Sequence, residues 1–315
     1  MKYRICRMDF RDRARFGHTG YGLENTKDHI SSDRLFSAII LEWIDIYGRE
    51  DIEALTDGNG LILTNAMPYI SDTYYLPRPA MRFTEDLSDR FYEQYRKNLK
   101  SLSWMTAHTI GKIVNSELLD KDEILHELKA SERLKSMIKI DISQKVKINH
   151  SEDNRLFRVR ELYFADKSGL YFIFNIAENL EAKFNTVINS LGVTGIGSDR
   201  STGAGSFSPA FATLSIEQPE NPDRYMSLSE VIPDDEEVEN LQHDKSGILS
   251  YRLVKKAGRV YGTDHFKRPG FAFSAGSVFP FDIKGKTDDI SDDDSGHPVY
   301  RYGRAFNIAI KGGKK

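Results

Sequence analysis

The sequence predicts an α+β protein. Three observations carry that prediction. Up to residue 216, segments of strand and helix periodicity interleave in the order strand, helix, strand, strand, helix, strand. A hairpin pattern with basic exposed positions, KVKINHSEDNRLFRVRELYFA at 145–165, is inserted before the second helix of that series. Between the last helix and the last strand lies GVTGIGSDRSTGAGSF, residues 192–207, with five glycines around one arginine.

Residues 2–10 alternate as a first strand, followed by a basic, Gly-containing loop, RDRARFGHTGYGLENTKDH. In SSDRLFSAIILEWIDIYG, Leu35, Phe36, Ile39, Ile40, Trp43, Ile44 and Tyr47 recur at helical spacing. Ser31 or Ser32 suits the N-cap, Asp33 the first turn and Gly48 the C-terminus. LILTNA and DTYYLP read as strands around a turn, and 86–102 and 116–137 as polar, peripheral helices. GLYFIFNIA reads as a buried strand. ENLEAKFNTVINSLG reads as an amphipathic helix capped by Gly192, and SFSPAFATLSI as the closing strand. The order is that of a ferredoxin-like βαββαβ unit with insertions, spanning 1–216. The acidic, Pro-containing stretch 217–245 reads as a linker. ILSYRLVKK, GFAFSAGSVFPF and HPVYRYGRAFNIAI then suggest a smaller β-rich domain over 246–315.

A chain of 315 residues with 39% hydrophobic and 29% charged content has the composition of a soluble globular protein. There is no run of 18 apolar residues to cross a membrane, and MKYRICRMDF lacks a signal-peptide core. Cys6 alternates with apolar neighbours and reads as a buried residue, so a cytoplasmic protein is expected. The net charge of −3 does not suggest a polyanion binder. Its distribution does: Glu217–Asn240 carries a net −8, and five aspartates fall within 288–294. The remainder is about +10, free to meet a polyanion.

The glycine-rich stretch is neither a P-loop, since no lysine follows in the required place, nor a dinucleotide fingerprint, whose third glycine position is Arg200. Its glycines permit positive φ, and successive N–H groups in such a loop form an anion-binding concavity. Arg200 adds a phosphate-matched fork, with Ser201 and Thr202 as neutral donors. A flexible loop with a solvated arginine is the other reading of the same residues.

GIGSDRSTGAGSF resembles the glycine-rich loop of the RAMP superfamily of CRISPR proteins, through Gly195, Gly197, Arg200, Ser201, Gly203, Gly205 and Phe207. FGHTGYGLENTKDHISSDRLFSAI resembles the family's Gly-rich turn and helix-opening signature, with Ser31 where a histidine often stands, so Ser32 and Asp33 are the residues carried over. Together with HPVYRYGRAFNIAI, these segments are similar to the fourth-subunit family of the type III-A Csm effector complex. The resemblance implies two ferredoxin-like (RRM-like) domains, the first with a thumb-like hairpin. It implies a non-catalytic subunit that holds the 5′ repeat tag of the crRNA and bridges the large polymerase-like subunit to the RAMP backbone filament. Target RNA is then met indirectly, and no cofactor is implied. Lys147 and Arg158 lie on the thumb-like hairpin, His18 beside the first Gly-rich turn, and Tyr21 and Phe16 are stacking candidates there.

A sister group of the superfamily cleaves repeat RNA without metal, using a base for the 2′-OH and an acid for the leaving oxygen. His18 and His29 are the candidates for such chemistry here. Asp33 reads more simply as a first-turn acid that complements the helix dipole. No His-x-x-His or Cys-x-x-Cys pair occurs, and the 288–294 run lacks the glycine and terminal glutamate of an EF-hand loop, so no metal site is expected.

Overall fold

The alternation at the N-terminus becomes strand β1 (Lys2–Phe10), whose Ile5, Cys6 and Met8 are fully buried in the computed structural model. The structure describes residues 1–17, 26–58, 60–85, 87–147, 155–263, 265–292 and 296–312, with the side chains of Lys147 and Arg155 excluded. Burial pushes the Cys6 thiol up, as an apolar setting does to any thiol.

Helix α1 (Ser32–Tyr47) follows the apolar spacing and buries Leu35, Phe36, Ile39, Ile40 and Trp43. Ser31, not Ser32, is the cap: its Oγ accepts from the Arg34 N–H at 3.4 Å. Gly48 ends the helix at φ +78°. Then come α2 (Ile52–Thr56), β2 (Leu61–Leu63), β3 (Met67–Ile70) and β4 (Thr73–Pro77). The insertion continues as α3 (Asp89–Ser101), β5 (Trp104–Thr106), α4 (Ala107–Val114) and α5 (Lys121–Met137). Helix α5 is less peripheral than its polarity suggests. Its Glu127 is buried and accepts from Thr106 N–H at 3.0 Å and Thr106 Oγ1 at 2.7 Å.

The hairpin is β6 (Ile138–Lys147) and β7 (Arg155–Phe164), paired in register from Ile138↔Phe164 to Lys147↔Arg155. It starts seven residues before the expected strand, because the helical pattern stops at Met137. The expected HSEDN turn lies outside the described residues. After β8 (Ser168–Ile176), α6 (Glu181–Thr194) leads through the glycine-rich loop to β9 (Phe207–Ser215). Gly192 is not the cap expected for α6. It lies inside the helix, where a Cβ would meet the Phe207 carbonyl at 2.7 Å, and Gly195 ends the helix at φ +82°. Close helix–strand approach, not a turn, fixes glycine at 192.

The main sheet has the order β5-β4-β3-β8-β1-β9, with β2 also paired to β8 and every pairing antiparallel. Within it β9-β1-β8-β3, with α1 and α6 in the two crossovers, has the βαββαβ connectivity expected of the first unit.

The acidic segment is not a linker. It contains β10 (Arg224–Ser227), the central strand of a three-stranded sheet, and α7 (Asp235–His243). Charge alone misleads here because apolar residues within the segment are buried: Met226, Leu228 and Val231 are fully covered. Helix α7 opens with a capping box between Asp234 and Glu237. Glu237 also accepts from the N–H groups of Lys284 at 2.6 Å and Gly285 at 3.1 Å. Glu237→Ala leaves these donors unpaired, and a loss of about 1–3 kcal/mol is expected as a lower urea midpoint with unchanged slope.

The remaining strands are β11 (Leu253–Lys256), β12 (Gly270–Phe273), β13 (Val278–Phe279), β14 (Thr287–Asp289), β15 (Tyr300–Tyr302) and β16 (Asn307–Ile310). They form the sheet β13-β10-β16 and the ribbons β11-β12 and β14-β15. Among the described residues there is no second four-stranded sheet with two helices, as a second ferredoxin-like unit would require. The two halves share one core: Met226, Tyr302 and Ile308 belong to the same buried cluster as Ile5, Phe36 and Tyr171. Tyr302 stacks on Phe36 with centroids 4.5 Å apart, and its hydroxyl accepts from the Leu63 N–H at 2.8 Å. Among the described residues no helix is long and apolar enough to cross a membrane.

Candidate nucleic-acid interface

Gly195, Gly197, Gly203 and Gly205 all take positive φ, between +78° and +102°. Three of them have a steric reason inside the protein. A Cβ on Gly195 would meet the Ala204 carbonyl at 2.9 Å, on Gly197 the Arg15 carbonyl at 2.4 Å, and on Gly205 the Ile196 carbonyl at 2.1 Å. Gly203 has open space around it. The loop also uses its own amides. Ile196 N–H donates to Gly205 O at 3.0 Å, Ser198 N–H to Arg15 O at 2.9 Å and Gly205 N–H to Arg13 O at 2.9 Å. These glycines therefore close the loop on itself and onto residues 13–16. The expected row of amides facing an anion is largely engaged within the protein.

The loop thus presents side chains rather than amides. Arg200 begins a 3₁₀ turn, Arg200–Thr202, after Asp199 in the left-handed region at φ +63°. Asp199 holds Arg15 at 3.3 Å and Lys145 at 3.8 Å. The Thr202 hydroxyl donates to Asp199 O at 2.8 Å and accepts from Arg13 at 3.2 Å. Arg13 and Lys145 both reach Glu161, at 3.0 and 2.7 Å. Burial pushes the Glu161 carboxyl up, but bonds from Lys145 and Ser143 and the nearby Arg13 outweigh it and hold it below its usual range. One ion-pair network therefore ties the hairpin, segment 11–16 and the glycine-rich loop together.

Beside this network opens a cleft of 590 Å³ between the loop, the start of α1 and the C-terminal half. Eight Lys or Arg residues line it (Arg15, Lys27, Arg34, Arg200, Lys255, Lys256, Arg259 and Lys267) against two carboxylates, Asp33 and Glu230. Both carboxylates are already engaged. Lys256 Nζ lies 3.1 Å from Asp33 and also bonds Glu230, and all three are at least four-fifths buried. Burial lowers the pKa of Lys27 and Lys267, with nearby carboxylates opposing it. Both cations therefore sit in a partly dry wall where a phosphate would be strongly felt. Arg200 closes the rim, with its guanidinium 4.8 Å from the Tyr261 ring centroid.

The structure separates the residues singled out from sequence. Arg200 and Gly197 line the cleft, while Ser201 and Thr202 are exposed on the loop. Ser32 is a correction: it is fully buried, its Oγ accepting from Glu230 N–H at 3.2 Å and its N–H donating to Asn65 at 2.8 Å. Asp33 sits in the first turn of α1 as expected, lines the cleft, and is engaged by Lys256 and by the Tyr302 N–H at 2.9 Å. Phe16 is also corrected, from stacking candidate to core, packed edge-on against Phe10. His18 and Tyr21 lie outside the described residues, as does the Lys147 side chain. Arg158 is exposed on β7 opposite Gln144. His29 reaches the cleft, held by Asp28 at 2.9 Å and edge-on to Trp104.

Sequence reasoning missed the C-terminal wall: Lys255, Lys256, Arg259, Tyr261 and Lys267. The run LVKKAGRVYG was a visible signal, but only the shared core brings it to face a loop some 60 residues earlier in the chain.

Comparison with known proteins agrees with this architecture. Residues 220–310 match the family described as the CRISPR Csm4 C-terminal domain. The CRISPR system Cms protein Csm4 of Mycobacterium tuberculosis (strain H37Rv) is 28% identical over 322 residues, covering 98% of each chain. That of Streptococcus thermophilus is 25% identical, covering 99% of this chain and 100% of the relative. In fold, the chain is similar to one in the crystal structure of a Csm3-Csm4 subcomplex of the type III-A interference complex (TM-score 0.66, 20% identity, 99% and 100% covered). It is likewise similar to a chain of a Csm1-Csm4 cassette in complex with pppApA (TM-score 0.67, 18% identity, both chains fully covered). With the glycine-rich loop and its flanking elements, these likenesses support a RAMP-like CRISPR protein. Within that class it is Csm4-like over its whole length.

Proposed function

We propose that the chain is the guide-holding subunit of a type III-A Csm complex, seating the single-stranded 5′ repeat tag of the crRNA in the basic cleft. The observation that carries this is the cleft's charge: eight cations, Lys256 among them, against only two carboxylates, both of which Lys256 pairs with. Sequence-independent RNA binding needs such a groove. The likeness to chains in Csm1-Csm4 and Csm3-Csm4 structures supports two protein neighbours in this role, a large polymerase-like subunit and a RAMP backbone subunit. The hairpin β6–β7 is the thumb in this reading and crosses the guide, so target RNA is met through it. The role is that of a non-catalytic cytoplasmic subunit.

The test uses labelled tag RNA, with Mg²⁺ or EDTA, and reads binding and cleavage together. Arg200→Ala is expected to weaken binding several-fold. The slope of log K against log salt should become shallower by about 0.7, the value for one phosphate on a single strand. Unchanged affinity and slope would count against the cleft. Site-specific cutting that vanishes in His29→Ala would instead favour a repeat-processing ribonuclease.

A further inference from the structure

The β11–β12 ribbon does not stop at its last ladder pair. It continues through the antiparallel bridge Arg259↔Phe266. Its tip is braced by Val260 N–H to His265 O at 2.9 Å and Lys267 N–H to Gly258 O at 2.8 Å. Tyr261 stands at this tip and lines the cleft together with Gly262 and Thr263. Its backbone is fixed: the His297 Nε2 lies 3.1 Å from its carbonyl. Its ring is not covered to match, and the residue is 58% exposed. Arg200, from the opposite wall, takes one face of that ring.

A large aromatic on a braced backbone, exposed over a cationic cleft, is held in place at its root while its ring stays unburied. Such a residue is pre-organised for a planar partner. A protein partner fits poorly, because interface cores are depleted in charge and this wall is dense with it. We infer that Tyr261 is the base-stacking residue of the cleft. It takes one unpaired ribonucleobase on the ring face that Arg200 leaves open, while Arg200 meets the adjoining phosphate. This rests on the RNA-cleft reading above and adds a contact that neither charge nor the glycine-rich loop supplies. Stacking on a π-face tolerates any base, so the contact selects unpaired over paired RNA and not one sequence over another.

The experiment uses the full-length chain with short single-stranded RNA carrying 2-aminopurine, and a duplex of the same strand. Wild type is expected to quench 2-aminopurine on binding. Tyr261→Ala should lose the quench and about 5- to 150-fold in single-strand affinity. Tyr261→Phe should restore both, and duplex affinity should not respond to either change. Phe271→Ala, at a 66% exposed aromatic on β12 outside the cleft lining, should bind as wild type does. Four results would overturn the inference: unchanged single-strand binding in Tyr261→Ala, no rescue by Tyr261→Phe, an equal loss on duplex RNA, or loss of a co-purifying protein instead of RNA. Those results leave the cleft reading standing provided Arg200→Ala still weakens binding. Wild-type protein that binds no RNA at all overturns both.

Discussion

Lys256→Met is expected to destabilise the folded chain by about 3–5 kcal/mol, the usual consequence of stripping the partner from a buried charge. Lys256 lies between Asp33 at the start of α1 and Glu230 after β10, with its side chain 9% exposed and theirs 17% and 4%. Methionine keeps the volume and removes the charge. Two buried carboxylates then lose the cation that bonds both of them. Urea unfolding of the full-length chain measures the effect. Adding Asp33→Asn and Glu230→Gln to Lys256→Met should recover part of it, because the two carboxylates that lost their bonded cation are gone and the amide oxygen can still accept from the Tyr302 N–H, while Lys27, Arg34 and Lys267, which those carboxylates also face, limit the recovery. Failure of the triple variant to recover would mean that shape, not charge, is what Lys256 supplies.

The pH dependence follows with a definite sign. Burial pushes the carboxyls of Asp33 and Glu230 up, but Lys256 outweighs it, and both titrate below their ordinary values in the folded protein. Burial pulls Lys256 down, but the two carboxylates outweigh it and raise its pKa above the ordinary value. The carboxylates therefore contribute stability that is present above their unfolded pKa and lost as pH falls through the depressed folded values, below about pH 4. The lysine contributes stability present below its unfolded pKa and lost as pH rises through the raised folded value, above about pH 10. The difference between wild type and Lys256→Met should hold between these limits and shrink outside them.

Gly205→Ala is expected to damage both stability and RNA binding, whereas Gly203→Ala should do little beyond a backbone penalty. Both glycines have φ near +80°, so each substitution carries about 1–2 kcal/mol for the left-handed conformation. They differ in what a Cβ would meet. At 203 there is open space, while at 205 it falls 2.1 Å from the Ile196 carbonyl, which belongs to backbone and cannot swing aside. Relief requires breaking the Ile196–Gly205 hydrogen bond, which releases the turn carrying Arg200. Gly205→Ala should therefore cost more than about 2 kcal/mol in urea unfolding. It should lower tag-RNA affinity at least as far as Arg200→Ala does. Equal behaviour of the two glycine variants would show that the loop's closure is not what positions Arg200.

These two sites show what could be read along the chain and what could not. Helical spacing from Leu35 to Trp43 gave α1 and its buried face, and the glycines from Gly195 to Gly205 gave a loop of unusual backbone. Spacing reports local geometry, and local geometry determined those elements. The purpose of the glycines was not legible, because the Ile196 and Arg15 carbonyls they accommodate approach only after the loop closes. Nor was the fate of Ser32 and Asp33. Their residue types suit a ligand, but the neighbours that occupy them, Asn65, Glu230, Lys256 and Tyr302, are distant in sequence. The acidic segment failed as a linker because Met226, Leu228 and Val231 are buried within it and two of its acids, Glu230 and Glu237, are bonded inside the fold.

By itself the sequence determined the α+β class, strand β1, helix α1, the basic hairpin and the position of Arg200. All of these rest on contacts between near neighbours. The tertiary structure alone decided that the C-terminal half packs into the same core as the first sheet. That packing buries Lys256 against Asp33 and Glu230, and it sets Tyr261 and its neighbouring cations opposite the glycine-rich loop. The cleft is a product of that long-range packing, because neither of its walls carries it alone.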